Sequence, residues 1–196
     1  MKKRSLSTAL LDRAIVFAVH AHQGIERKGK GFPYIVHPME AVAIVATMTD
    51  DQELLAAAAL HDVIEDTDTT VDELRREFGE RIASLVEAES DIVVEGSRSD
   101  SWHARKEAAI DRLANASRDA KIVALGDKLS NMRAIARDYS LQGDGLWNLF
   151  NVNDPKEHEW HYRGLAAALC DLKDTFAYQE FQQLIQQVFG PIKNEK

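Results

Sequence analysis

An alanine-rich apolar run, Leu54-Leu55-Ala56-Ala57-Ala58-Ala59, leads directly into Leu60-His61-Asp62-Val63-Ile64-Glu65-Asp66-Thr67. Alanine and leucine favour helix strongly, so the run predicts a buried helix that ends in one imidazole and three carboxylates. On a helical projection His61, Glu65, Asp62 and Asp66 fall at about 0°, 40°, 100° and 140°, less than half the circumference. A buried face carries that much negative charge only at great cost unless a cation neutralises it. The pattern points to a metal site.

The rest of the chain reads as helix too. Ser7 can cap a helix to about Gln23, with Leu10, Leu11, Ala14, Ile15, Ala18 and Val19 as its apolar stripe and Gly24 as its stop. Residues 24–36 form a glycine-rich, basic loop. Pro38 suits the first turn of a second helix and puts His37 at or near its N-cap. Asp50 or Asp51 caps the acidic helix. Thr70-Val71-Asp72-Glu73 is a capping box whose helix stops at Gly79. Further helices are expected at about 80–89, 101–114, 119–138, 156–176 and 178–189, with polar or irregular segments at 91–100 and 143–155. Nothing alternates in the manner of a strand. The expected fold is all-α, one helical domain over residues 1–196.

Length and charge narrow the class. A chain of 196 residues can bury a substantial core. With 24 basic and 32 acidic residues its net charge is −8, which argues against a nucleic-acid-coating surface. No apolar run approaches the roughly 20 residues that span a bilayer. Met1-Lys2-Lys3-Arg4 is basic but lacks a following signal-peptide core. The single cysteine, Cys170, cannot close an intrachain disulfide and fits a reducing compartment. Beside Leu169 it reads as a small buried apolar residue. A soluble cytoplasmic protein is expected, neither membrane-bound nor nucleic-acid-binding. Trp147, Phe150 and Trp160 read as core more readily than as an interface, which leaves a homo-oligomer open.

A metal needs more ligands than His61 and Asp62. His37 is the natural second histidine, since Pro33-Tyr34-Ile35-Val36-His37-Pro38 is a rigid segment. Asp127 is a carboxylate in the apolar stretch Leu125-Gly126-Asp127-Lys128-Leu129, with Asn131 one turn on. Two histidines and two carboxylates suit Mn²⁺, Fe²⁺ or Zn²⁺ rather than Ca²⁺. Each residue also has a structural alternative. His37 can be a cap, His61 and Asp62 a metal-free pair, Glu65 and Asp66 a solvated helix end, and Asp127 a partner of Lys128 or Arg133. Their joint occurrence in apolar surroundings favours the site.

The His…His-Asp…Asp arrangement resembles the HD-domain metal phosphohydrolases. The added Glu65-Asp66, in HDVIEDT, is similar to the branch that hydrolyses the alarmones ppGpp and pppGpp. Arg27-Lys28 with Pro33-Tyr34-Ile35-Val36-His37-Pro38 resembles its RK…PYI-x-HP signature, and Gly126-Asp127-Lys128-Leu129-Ser130-Asn131-Met132-Arg133-Ala134 its ADKL-x-N-x-RA signature. Ser101-Trp102-His103-Ala104-Arg105-Lys106-Glu107 resembles a segment of bacterial single-domain members. The resemblance runs from about residue 9 to 165, with closing helices to about 189.

It implies a single HD-domain helical bundle in which His37, His61, Asp62 and Asp127 hold one divalent metal, Mn²⁺ in typical members. Glu65 and Asp66 would orient and deprotonate the attacking water. Arg27 and Lys28 would face base and phosphates, and Asn131 the ribose; Lys30 and Lys128 would add positive charge. The implied activity is removal of the 3′-pyrophosphate from (p)ppGpp to give GDP or GTP and pyrophosphate. An HD phosphohydrolase acting on another nucleotide or phosphorylated cofactor is the alternative, and a non-catalytic alarmone-binding protein a further one. Four departures stand out. Glu26 and Gly31-Phe32 alter the basic loop, Gly126 replaces alanine, Glu89-Ser90-Asp91 stands where relatives often have a valine-threonine pair, and His161 occupies the first place of a YYR triplet.

Overall fold

A computed structural model describes residues 7–90 and 102–191. Helices α1 (Ala9–Ala21), α2 (Val36–Val45) and α3 (Gln52–Leu60) come first, followed by a short α4 (Val63–Asp66). Then come α5 (Val71–Phe78), α6 (Glu80–Glu89), α7 (Trp102–Ala114), α8 (Arg118–Gln142), α9 (Pro155–Ala168) and α10 (Phe176–Phe189). No β-strand occurs among the described residues; Glu26 and Pro33 form only an isolated bridge. The all-α expectation holds.

The alanine run is the centre of the molecule. Every residue from Leu54 to Leu60 is buried, and α1, α2, α6 and α8 all pack on α3. Alanine makes this possible, because small side chains let several neighbours approach one axis. Ala14 and Ala18 face α3 from α1 for the same reason. Val19, expected in that stripe, is 45% exposed, and Phe17 instead meets Phe78 edge-on at 5.4 Å.

Caps explain most boundaries. Asp51 Oδ1 accepts from the Glu53 amide at 2.9 Å and starts α3. Thr70 and Ser117 start α5 and α8 in the same way, each at 3.2 Å. Thr8 rather than Ser7 precedes α1, and it bonds the Asp12 carboxylate instead of the backbone. The helix expected over 156–176 is broken. Asp154 starts α9, a 3-10 turn takes Cys170–Leu172, and Thr175 accepts from the Tyr178 amide to begin α10. Burying Leu169 and Leu172 forces this corner and turns Cys170 outward, so the cysteine is exposed rather than buried. Helix α8 runs to Gln142, past the expected end at residue 138. The loop expected at 91–100 and the basic start at 1–4 lie outside the described residues.

Gly126 fixes how closely α2 and α8 cross. A Cβ there would lie 2.6 Å from Val45 Cγ2 and 3.0 Å from the Ala41 carbonyl oxygen. Glycine permits this approach without displacing either neighbour. The crossing carries His37 and Asp127 toward each other.

Candidate metal centre and nucleotide cavity

The acidic cluster does not share one helix. Helix α3 ends at Leu60, where the His61 ring turns back to put Nδ1 at 2.9 Å from the Ala58 carbonyl. Asp62 then occupies the N-cap position of α4. The break points His61 and Asp62 inward while Glu65 and Asp66 stay exposed. A continuous helix would have spread all four along one arc.

His37 arrives near the start of α2, in its first turn and two residues after the N-cap Ile35. Its Nε2 lies 3.3 Å from His61 Nε2, 3.0 Å from Asp127 Oδ1 and 3.4 Å from Asp62 Oδ2. His61 Nε2 lies 2.9 Å from Asp62 Oδ2 and 3.6 Å from Asp127 Oδ1. Donor atoms of His37, His61 and Asp127 all fall within 4.8 Å of one another. Two imidazole nitrogens and the Asp127 carboxylate make a compact donor set for a divalent ion, and Asp62 Oδ2 lies beside both imidazoles.

Supporting contacts orient those donors. Ser130 Oγ donates to Glu40 Oε2 at 2.7 Å, so it accepts from His37 Nδ1 at 2.8 Å and leaves Nε2 facing the cluster. Arg133 bonds Glu40 and, through two nitrogens, Glu180, so it does not pair with Asp127. Tyr34 donates to Asp62 Oδ2 at 2.6 Å. Asp127 Oδ2 accepts from Lys128 at 2.6 Å. These orienting groups carried a signal in spacing: Glu40 lies three residues after His37, and Ser130 three after Asp127.

The electrostatics follow from burial and neighbours. Burial alone would discharge His61, but the carboxylates of Asp62 and Asp127 outweigh it and hold its pKa well above the usual imidazole value. Burial likewise resists ionising Asp62, yet His61 and His37 pull its pKa below the ordinary carboxylate range. Asp127 is lowered in the same manner, with Lys128 opposing burial first. For Tyr34, burial and then Asp62 push the phenol far up, so it remains a donor.

The cluster forms part of the wall of a cavity of about 570 Å³. Arg27, Glu65, Lys128 and Asn131 line it, as does a wall of Trp102, Phe150, His158, His161 and Tyr162. Residue reading had not given that wall a role. Lys28 is exposed and does not line the cavity. Lys30 pairs with buried Asp138, so its charge is spent holding the loop to α8. Asp66 also lies outside the lining, although it acts on Tyr34. Trp147 is buried, and Phe150 and Trp160 are partly so. Among the described residues no helix is long and apolar enough to cross a membrane.

A family model described as HD domain matches residues 14–150. The chain belongs to the HD-domain family. Over 134 residues it is 36% identical to guanosine-3′,5′-bis(diphosphate) 3′-pyrophosphohydrolase MESH1 of Danio rerio, covering 67% of this chain and 72% of that protein. Over 82 residues it is 44% identical to a guanosine-3′,5′-bis(diphosphate) 3′-pyrophosphohydrolase of Aquifex aeolicus, covering 42% of this chain and only 12% of that one. The solved structure of a metazoan ortholog of SpoT that hydrolyzes ppGpp superposes with a TM-score of 0.76 at 22% identity, covering 96% of this chain and 100% of the other. At that identity the likeness concerns the HD fold alone.

Proposed function

We propose that this HD protein is a divalent-metal-dependent hydrolase that removes the 3′-pyrophosphate from ppGpp or pppGpp, yielding GDP or GTP and pyrophosphate. One observation carries the reading: His37, His61, Asp62 and Asp127 converge in a cavity that also presents Glu65 and Arg27. The names of the relatives agree with it. Mn²⁺ suits the mixed nitrogen and oxygen donors. The reaction belongs in the cytoplasm, a reducing compartment in which an unpaired thiol such as Cys170 persists.

Each residue then has a chemical task. His37, His61, Asp62 and Asp127 would hold a divalent ion, which would acidify a water and neutralise phosphate oxygens. Glu65 takes the proton that the water gives up, and Asp66 steadies the Tyr34 phenol that holds Asp62. Lys128 adds a fixed positive charge beside Asp127. The Arg27 fork reads base or phosphate, Asn131 the ribose, and Lys28 reaches the phosphates only from the rim. The aromatic wall offers flat apolar surface to the purine.

The deciding experiment incubates Mn²⁺-loaded protein with a panel of nucleotides and phosphorylated cofactors and separates the products by chromatography. GDP and pyrophosphate from ppGpp, with GDP itself inert, support the reading. Turnover of another member of the panel with ppGpp left intact refutes the alarmone assignment while keeping HD chemistry. Asp127→Ala serves as control: it must lose both bound metal and activity.

A further inference from the structure

Glu89, the last residue of α6, lines the same cavity as the metal cluster, and none of the tasks above uses it. Its side chain is 7% exposed. Its partner is the Lys128 ammonium at 3.4 Å, which Asp127 Oδ2 holds more closely, at 2.6 Å. Glu89 therefore receives the weaker share of that charge. Burial pushes its carboxyl up, Lys128 opposes, and Asp127 adds to the rise. Glu89 is also one of the places where this sequence departs from the enzymes it resembles.

The reaction has an unmet need at the leaving group. Breaking the bond from phosphorus to the ribose 3′ oxygen leaves an alkoxide, a poor leaving group unless a proton reaches it as the bond breaks. Where one reaction needs a base and an acid, two carboxyl groups in contrasting environments supply both. Exposed Glu65 suits the base. Buried Glu89 suits the acid.

We propose that Glu89 donates the proton to the departing ribose 3′ oxygen, with Lys128 holding its carboxyl in position. The inference rests on the 3′-pyrophosphohydrolase reading above. As the water oxygen bonds to phosphorus, the bond from phosphorus to the 3′ oxygen breaks and its electron pair stays on that oxygen. The Glu89 proton passes to the oxygen, and Glu65 takes one proton from the water. The products are a nucleoside 5′-diphosphate or 5′-triphosphate with a free 3′ hydroxyl, and pyrophosphate. Solvent then returns a proton to Glu89 and takes the one that Glu65 holds. The groups that act on Glu89 are Lys128 and Asp127 from α8 and His61 from the turn after α3; Lys106 and Arg112 of α7 line the same cavity.

The test compares wild type, Glu89→Gln and Glu89→Asp as full-length, Mn²⁺-loaded proteins, with metal content and thermal melts recorded for each. On ppGpp, Glu89→Gln should lower kcat by roughly 10²- to 10⁴-fold, change KM far less, and lose the alkaline limb of the kcat profile. Glu89→Asp keeps a proton donor and should keep that limb at reduced rate. With bis(4-nitrophenyl) phosphate the leaving nitrophenolate needs no proton, so Glu89→Gln should lose far less kcat there than on ppGpp. Retention of kcat on ppGpp, survival of the alkaline limb, or equal losses on both substrates would each overturn the role of Glu89. A wild type inactive on ppGpp is a separate failure, visible before any variant is made, and it removes the parent reading as well.

Discussion

Arg27 and Asn131 stand 104 residues apart, yet Arg27 Nη2 donates to Asn131 Oδ1 at 2.5 Å. Asn131 Nδ2 donates in turn to Asp127 Oδ1 at 2.5 Å. The guanidinium carbon also lies over the Tyr34 ring, 5.2 Å from its centre, and the Tyr34 hydroxyl holds Asp62. One side chain of the basic loop thus touches the supports of two candidate metal ligands. Substrate recognition and metal geometry share a frame.

That frame makes Arg27 a binding residue first. Its contacts with base or phosphate exist before the transition state as well as in it, so Arg27→Ala should raise KM more than it lowers kcat. Arg27→Lys restores charge but not the planar fork that spans Asn131 and Tyr34, and should recover only part of the loss. Steady-state kinetics on ppGpp separate the two parameters. A kcat loss at unchanged KM would place Arg27 among the groups that act only in the transition state.

Glu65 and Asp66 should prove unequal. Glu65 lines the cavity, whereas Asp66 reaches it through Tyr34. Glu65→Gln should lower turnover by roughly 10²- to 10⁴-fold while metal content stays near wild type. Asp66→Asn should have a smaller effect. Single and double variants assayed at saturating ppGpp, with elemental analysis alongside, test the ranking; equal losses in the two singles contradict it.

How much of this was visible in the residues differs from place to place. The candidate donor cluster could be named because histidine and aspartate in apolar surroundings are costly without a cation, and that cost is local to the sequence. The break after Leu60 could not, because it depends on the His61 ring finding the Ala58 carbonyl and on α2 and α8 closing over the turn. Position 170 shows the same limit. Cysteine beside leucine suggests burial, but Leu169 and Leu172 take the interior and the 3-10 corner leaves Cys170 outside. Lys30 looked available for phosphate because its partner, Asp138, lies 108 residues away.

Gly126 gives a prediction about packing that reaches the site. Adding a Cβ in Gly126→Ala presses on Val45 and on the Ala41 carbonyl, and overpacking of this kind costs about 1–3 kcal/mol. The strain separates α2 from α8 and so moves His37 from Asp127. Both melting temperature and metal affinity should fall. Val45→Ala in the same chain removes the side-chain clash but leaves the carbonyl, so it should restore part of each. Wild-type affinity in Gly126→Ala would show that the α2–α8 distance does not set the site.

The last prediction concerns pH, where two signs must be kept apart. In the metal-free protein the folded pKa of His61 lies well above 6.5, so its charged form contributes stability fully below pH 6.5 that is lost as pH rises through the folded value. Asp62 and Asp127 lie below 3.8, so they contribute stability above that value that is lost as pH falls through their folded values. Chelator-treated protein should therefore melt highest between about pH 4 and 6.5 as far as these groups decide it. A divalent ion must displace the His61 proton, so its affinity should run the other way and strengthen with rising pH. The slope should be about tenfold per unit from pH 6 until the His61 pKa is passed. Calorimetric titration with Mn²⁺ at pH 6, 7 and 8 reads this directly. His61→Gln should flatten the residual pH dependence even though it binds far more weakly. A wild-type affinity that does not change across that range would mean that no proton leaves His61 when the metal arrives, and the ligand role assigned to it would fall.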